Sequence, residues 1–388
     1  MTAPKLRYGM LIGTFWPSMC ASYLLVVLLQ ERGMSNTVIG AVIAVNSIIS
    51  IVVQPVWGAL CDRVGSVKKI FLLCSTATLL LFTSLAVIER PPLLVTAIFL
   101  DALFRCSQVS LSDHWLVTAA HRYPGLEYGR IRVVGSVTYA ATSGLYGLIQ
   151  RDHSMQTVIL VSGLFALANV IAALMTPESH ERPVRQCRTG LRVQAVQLLC
   201  ARPFAAIALF LVFSGFSSAC TSNFMPNVFA GVGAESRYVS FAQSLKALCE
   251  IPFFITGGML LRRFQSRNMM SLAALITLCA YVGFLLAPNA AAVVALHVCV
   301  GAGYSLMTTS KLHHVYQIVP PELSATAFTL IGACEYGLGN ILGSSIGGWM
   351  VDRWPVRIAL FCSALTYLLG FAVFLFLSGT QTKKNPPQ

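Results

Sequence analysis

Apolar residues arrive in runs of about 20, the length an α-helix needs to cross roughly 30 Å of hydrocarbon, and most gaps between the runs are short and polar. The runs predict spans near 8–30, 38–60, 70–88, 93–116, 131–150 and 156–175, then near 204–230, 238–261, 268–287, 290–316, 323–350 and 355–378. One long polar connection, Thr176 to Pro203, divides them six and six and carries Arg182, Arg185, Arg188, Arg192 and Arg202. The predicted organisation is an N-terminal six-helix bundle (1–175), a linker (176–203) and a C-terminal six-helix bundle with a short tail (204–388), an all-α membrane protein. The first run reads as a retained span: it is about 23 residues long, contains Pro17 and lacks a small-residue cleavage site.

Composition excludes the soluble alternatives. With 56% apolar and 11% charged residues in 388, the chain cannot cover itself with polar surface, so a water-soluble enzyme, a disulfide scaffold and a disordered binder all fail. The net charge of +13 forms no basic stripe for nucleic acid; the charges sit between the runs. One side collects Lys5, Arg7, Arg63, Lys68, Lys69, Arg122, Arg130, the five linker arginines, Arg262, Arg263, Arg267, Lys383 and Lys384. The other has Arg32, Arg90, Arg151, Arg237, Arg353 and Arg357. Seventeen against six predicts that both termini and the linker are cytoplasmic, in a cell membrane that is the inner one if the source is bacterial. Most cysteines lie inside apolar runs and none has CxxC spacing, so no metal site is predicted.

An internal repeat supports the halving. Gly58-x-x-x-Asp62-Arg63-x-Gly65-x-x-Lys68-Lys69 joins spans two and three, and a related stretch, Gly258 to Arg267, joins spans eight and nine. Matched halves about a midplane cavity are the architecture of secondary transporters. The first stretch resembles the loop signature of the major facilitator superfamily in spacing and flanking helices, which implies the major facilitator fold. Pro55-x-Trp57-Gly58, Leu28 with Gly33, Ile39-Gly40, and the run from Glu127 through Gly129, Arg130 and Arg132 to Gly135 resemble its branch containing lactose permease, the nucleoside–proton symporters and the phenylpropionate permeases. The resemblance implies a cytoplasmic gating latch at Gly58, Asp62, Arg63 and Gly65, with Lys68 and Lys69 anchored to anionic lipid or acidic groups. Arg262 stands where the repeat would need its acid, which implies a differently wired second latch. The plain alternative is that these are topogenic loop charges.

Eight ionisable residues fall within the spans or at their margins: Asp101, Arg105, Asp113, Arg132, Lys246, Glu250, Lys311 and Glu335. At about 2.5–3.5 kcal/mol each near a bilayer centre, all of them unpaired would cost on the order of 20–28 kcal/mol, so pairing in a wet cavity is required. Asp101, Arg105, Gln108 and Ser112 form a stripe on span four, where Asp101 and Arg105 could simply satisfy each other. Lys246 could do the same for Glu250 on span eight.

Arg132, Ser136 and Tyr139 share a face of span five and offer a donor fork, a hydroxyl and a ring to a solute. The resemblance implies that Arg132 is a substrate-binding arginine and Tyr139 a stacking aromatic. It also implies a partner acid at Asp113, although an ungapped count falls on His114. Arg132 could instead be a snorkelling anchor. Tyr304, Thr308, Lys311 and His314 share a face of span ten, with His313 beside it, and a histidine paired with a buried carboxylate suits proton shuttling. The resemblance favours Glu250 as that carboxylate, with Glu335 the rival, and packing is the alternative for the histidines. Asn223 and Asn227 could bind a polar solute or a neighbouring helix.

These features predict a secondary transporter working by alternating access, most simply proton-coupled symport of a sugar, oligosaccharide or nucleoside. A permease or exporter for an aromatic carboxylate or other small molecule is the alternative, and a membrane-embedded solute sensor the different class. No nucleotide-binding loop, metalloprotease or serine-hydrolase motif occurs, so an enzyme is not predicted. The expected partners are solute, protons and the lipid bilayer, with no cofactor and no nucleic acid, and the monomer as the working unit.

Overall fold

The computed structural model describes residues 3–123, 126–178, 197–320 and 323–378; the side chains of Ala3, Asp62, His121, Gly258, Ser324 and Ala325 also lie outside the description. The predicted linker arginines Arg182, Arg185, Arg188 and Arg192, and Lys383 and Lys384 of the tail, fall outside the described residues. Among those described there is no strand.

The first half consists of α1 (Ala3–Cys20), continued through a 3₁₀ turn (Ala21–Leu24) into α2 (Leu25–Glu31), then α3 (Asn36–Val64), α4 (Val67–Ser84), α5 (Pro91–Arg105), α6 (Gln108–Arg122), α7 (Tyr128–Asp152) and α8 (Met155–Met175). The second half has α9 (Arg202–Ser222), α10 (Met225–Gly231), α11 (Arg237–Arg263), α12 (Ser266–Leu286), α13 (Ala290–Ile318), α14 (Ser324–Gly332), a π-helical segment (Ala333–Gly339), α15 (Asn340–Arg353) and α16 (Val356–Ser378). Because α1 with α2, α5 with α6, α9 with α10, and α14 with α15 each make one crossing, the described chain passes through the molecule twelve times, as the runs predict.

Local chemistry sets the ends. Ser35, Ser66 and Asn289 cap α3, α4 and α13 by accepting the Val38, Lys69 and Ala292 amides. Gly65 ends α3 at φ 65°, a left-handed cap that any side chain would strain. Two predicted spans are less regular than their apolar runs suggest. Span four breaks at Cys106–Ser107, and span eleven carries the π segment around Glu335. Nine of the passages are long and apolar enough to cross a membrane on their own terms; those running through α7, α11 and α15 are not among them. Leu80, Val87, Leu148, Leu164, Leu286 and Phe376, each at least 60% exposed, cover the outside with apolar surface that only lipid would leave unpenalised.

The halves meet along two helix pairs. In the first, α3 lies on α15: Asn340 Nδ2 donates to Ser47 Oγ at 2.9 Å, and a Cβ at Gly40 would overlap the Ser344 carbonyl. In the second, α7 lies on α11: Ser143 Oγ donates to the Ser240 carbonyl and Ser244 Oγ to the Ala140 carbonyl, each at 2.7 Å. All these contacts lie toward the end whose loops are poor in Lys and Arg. Toward the basic-rich end the same helices are exposed, as at Val52, Val56, Val134, Val137, Ile255 and Met259. The molecule is therefore shut at its basic-poor end and open at its basic-rich end.

Candidate functional site

In the N-terminal half the site is built on α1, α6 and α7. Arg132 Nε stands 3.9 Å from Asp113 Oδ1, and Tyr128 Oη donates to the same oxygen at 3.2 Å. Asp113 is thus the acid facing Arg132, while the neighbouring His114 is exposed. The ring against the guanidinium is Trp16, which sequence reasoning missed: Arg132 Cζ sits 4.0 Å over its centroid. Tyr139, expected to stack on a solute ring, packs beside it, 6.4 Å from both Trp16 and Tyr23. Gly135 makes room, since a Cβ there would enter the Trp16 indole, and this glycine one turn from Arg132 is the signal that could have revealed a large neighbour. Ser136 is half-buried on the next turn. Trp16 Nε1 is one of several buried polar atoms that lack a partner among the described residues, as a group reserved for solute or water would.

Other N-terminal charges are satisfied locally. Arg105 Nε donates to Asp101 Oδ2 at 2.6 Å and Nη1 to Ser22 Oγ at 3.0 Å, while the guanidinium lies 4.4 Å over the Phe82 ring. Gln108 Nε2 donates to Thr78 Oγ1 at 2.7 Å and to the Cys74 carbonyl at 3.1 Å. The span-four stripe therefore ties its own bundle together.

The C-terminal half holds two Lys–Glu pairs, each with a tyrosine face. Lys246 Nζ is 3.9 Å from Glu250 Oε1 and 4.9 Å from the Tyr304 ring centroid. Lys311 Nζ donates directly to Glu335 Oε2 and lies 5.3 Å from the Tyr336 ring. Lys246, Tyr304, Thr308, Glu335, Tyr336 and Asn340 line a polar cavity of about 220 Å³ together with Asn223, which donates to Ser344 Oγ at 2.9 Å. A larger cavity, about 310 Å³, opens beside Trp354 and Arg357 and contains none of the charged pairs.

Not all of the predicted proton-coupling residues come together. His314 does not reach Glu250. On the parallel helices α11 and α13, Lys246 lies level with Gly301 and Tyr304, so His314, ten residues past Tyr304, is still about 9 Å beyond Glu250, which is four residues past Lys246. Its Nδ1 is bonded to Ser266 Oγ at 3.2 Å and its ring packs on Phe374, while His313 meets Gln317 at 3.1 Å. Lys311 takes Glu335, the rival carboxylate, as its partner. Asn227 accepts from Gln30 Nε2 at 2.8 Å, a link between halves at the shut end.

At the predicted latch, Gly65 is the α3 cap, Gly58 and Arg63 are exposed, and the Asp62 side chain is outside the description. Lys68 Nζ donates to the Leu174 and Thr176 carbonyls at 2.7 and 2.8 Å, where its charge neutralises the C-terminus of α8. Lys69 beside it is exposed. No cluster of metal-ligating side chains occurs among the described residues.

Two six-passage halves, joined at one end, parted at the other and facing each other with charged pairs near mid-depth, define a membrane carrier. The chain belongs to the MFS_1 like family, whose model matches residues 11–361, and this is a family of transporters. It is 25% identical over 358 residues to the maltose permease of Geobacillus stearothermophilus, covering 92% of this chain and 89% of that one. Against the lactose permease of Klebsiella oxytoca the identity is 22% over 376 residues, with the same two coverages. In fold it is similar to a mutant of the nucleoside transporter NupG, with a TM-score of 0.84 at 16% identity over 96% of this chain and 99% of that one.

Proposed function

We propose that the protein is a proton-coupled symporter of a small polar solute, a sugar first and a nucleoside second, and that Glu250 loads the proton. One observation carries this reading: the two C-terminal carboxylates are unequally committed. Glu335 is in direct contact with Lys311, whereas Glu250 stands 3.9 Å from Lys246, too far for a good hydrogen bond, so a proton or a solute hydroxyl can compete for it. The N-terminal half offers Arg132, Asp113 and Trp16, a bidentate donor, an acceptor and a flat apolar face, which suits a sugar ring with hydroxyls at its rim. The maltose and lactose permeases among its relatives support the choice of sugar.

On this reading the bundles 1–175 and 204–388 rock about the site while 176–203 tethers them, and a single chain suffices. The 17-to-6 distribution of Lys and Arg supports a cytoplasmic basic-rich end, which makes the conformation described inward-facing on this reading. An unpaired charge resists the drying of a closing gate; proton and solute together neutralise the network and let it move.

The test is uptake of labelled maltose into proteoliposomes under an imposed proton gradient. Wild type should accumulate sugar only with the interior alkaline. Glu250→Gln should lose accumulation yet retain sugar-for-sugar exchange, because a neutral amide mimics the loaded state. Gradient-driven accumulation by Glu250→Gln would overturn the assignment.

A further inference from the structure

The shut end is fastened by a carboxylate that lies between two predicted spans rather than inside one. Asp352 belongs to the C-terminal half, at the end of α15, yet its carboxylate bonds to the N-terminal half. Oδ1 accepts the Asn36 backbone N–H and Asn36 Nδ2, each at 2.9 Å; Oδ2 accepts the Thr37 backbone N–H at 2.7 Å and Thr37 Oγ1 at 2.5 Å. These are the first amides of α3, donors with no partner inside their own helix, where the helix dipole also favours negative charge. The local cap, Ser35, is engaged with Val38, so the first two amides are left to Asp352.

Neighbouring residues fit this docking. A Cβ at position 348 would overlap the Asn36 carbonyl, so only glycine lets α15 approach α3 so closely there. Gln30 Nε2 joins Asn36 Oδ1 and Asn227 Oδ1, both at 2.8 Å, so Asn36 is tied to the C-terminal half a second time, through α10.

We propose that Asp352 is a gating residue of the transport cycle: a cap supplied by one half to a helix of the other, which holds the basic-poor end shut and must be withdrawn for the site to open there. Opening breaks four charge-assisted hydrogen bonds at once, and this class of bond is the stronger one. Water takes over the exposed donors, so the cap biases a two-state equilibrium rather than locking it. Nothing in this inference depends on the solute or on proton loading.

Hydrogen–deuterium exchange of the unliganded full-length protein in nanodiscs tests it without a substrate. Asp352→Ala should speed exchange in peptides covering 36–47 and 340–352 by about tenfold. It should slow exchange in peptides covering 52–64 and 128–138, because one end closes as the other opens. Asp352→Asn, which keeps the shape and one acceptor oxygen, should fall between wild type and Asp352→Ala; should Asp352→Ala not fold, Asp352→Asn and Thr37→Val carry the same comparison. Unchanged exchange at the shut end, or an equal rise at both ends, would overturn the proposal.

Discussion

Arg132 is held from two directions at once, by the Asp113 carboxylate at 3.9 Å and by the Trp16 ring at 4.0 Å, and the second matters as much for its geometry as for its energy. A planar guanidinium stacked on an indole keeps its fork pointed one way, whereas a lysine ammonium has no plane to align. If this is the solute site proposed above, Arg132→Lys should weaken binding of the proposed sugar by about ten- to a hundredfold, and Trp16→Leu, which keeps the charge but frees it, by about three- to tenfold. Titration calorimetry on purified protein checks both; equal affinity for wild type and Trp16→Leu would mean that the ring only fills space. Residue-scale pairing was legible wherever the partners share a helix, as for Asp101 with Arg105 and Lys246 with Glu250, four residues apart. Lys311 and Glu335 lie on different helices, so their pairing could not be read from helical spacing.

Among the elements, the π segment Ala333–Gly339 widens the helix at Glu335 and turns that carboxylate toward Lys311. Its backbone presses on α9: a Cβ at Gly215 would overlap the Glu335 carbonyl, and one at Gly339 would lie 2.6 Å from the Val212 carbonyl. Gly215→Val should thus cost about 1–3 kcal/mol or more through overpacking and lower the thermal unfolding midpoint in detergent. Gly9→Ala, where nothing lies within 4 Å of the added carbon, should leave the midpoint level or raise it slightly. If both variants melted like wild type, the α9 crossing would be looser than described. A run of apolar residues predicts that a helix exists, yet it is nearly blind to a local change of winding, because extra width is paid for by neighbours from elsewhere in the chain. The passages that do not qualify as spans on their own include the helices that carry Arg132, Glu250 and Glu335. Polarity that weakens a span as an isolated segment marks it as a wall of the cavity.

For the molecule as a whole, the asymmetry between ends decides which steps a proton can control. Partial burial pushes the Asp352 carboxyl upward, but hydrogen bonds from Thr37 and Asn36 outweigh it and hold the group below its ordinary value. A depressed pKa means that the cap's contribution is present above the unfolded value and lost only as pH falls through the folded one. Closure of the basic-poor end should therefore be constant between roughly pH 5 and 8. Exchange at 36–47, corrected for the intrinsic pH dependence of amide chemistry, measures it. A protection that collapsed near pH 6 would show that some other group governs the gate.

Hydropathy and charge distribution along the chain were enough to determine the twelve passages, their division into two halves, the solvent and the two unlike ends, because membrane insertion acts on each segment largely by its own length and polarity. The tertiary structure alone decided that Trp16 carries Arg132, that Lys311 belongs to Glu335, that His314 is turned to Ser266, and that Asp352 caps α3 from the other half. Each of those facts joins residues on different helices, and which helix faces meet depends on close packing between surfaces that no single segment encodes.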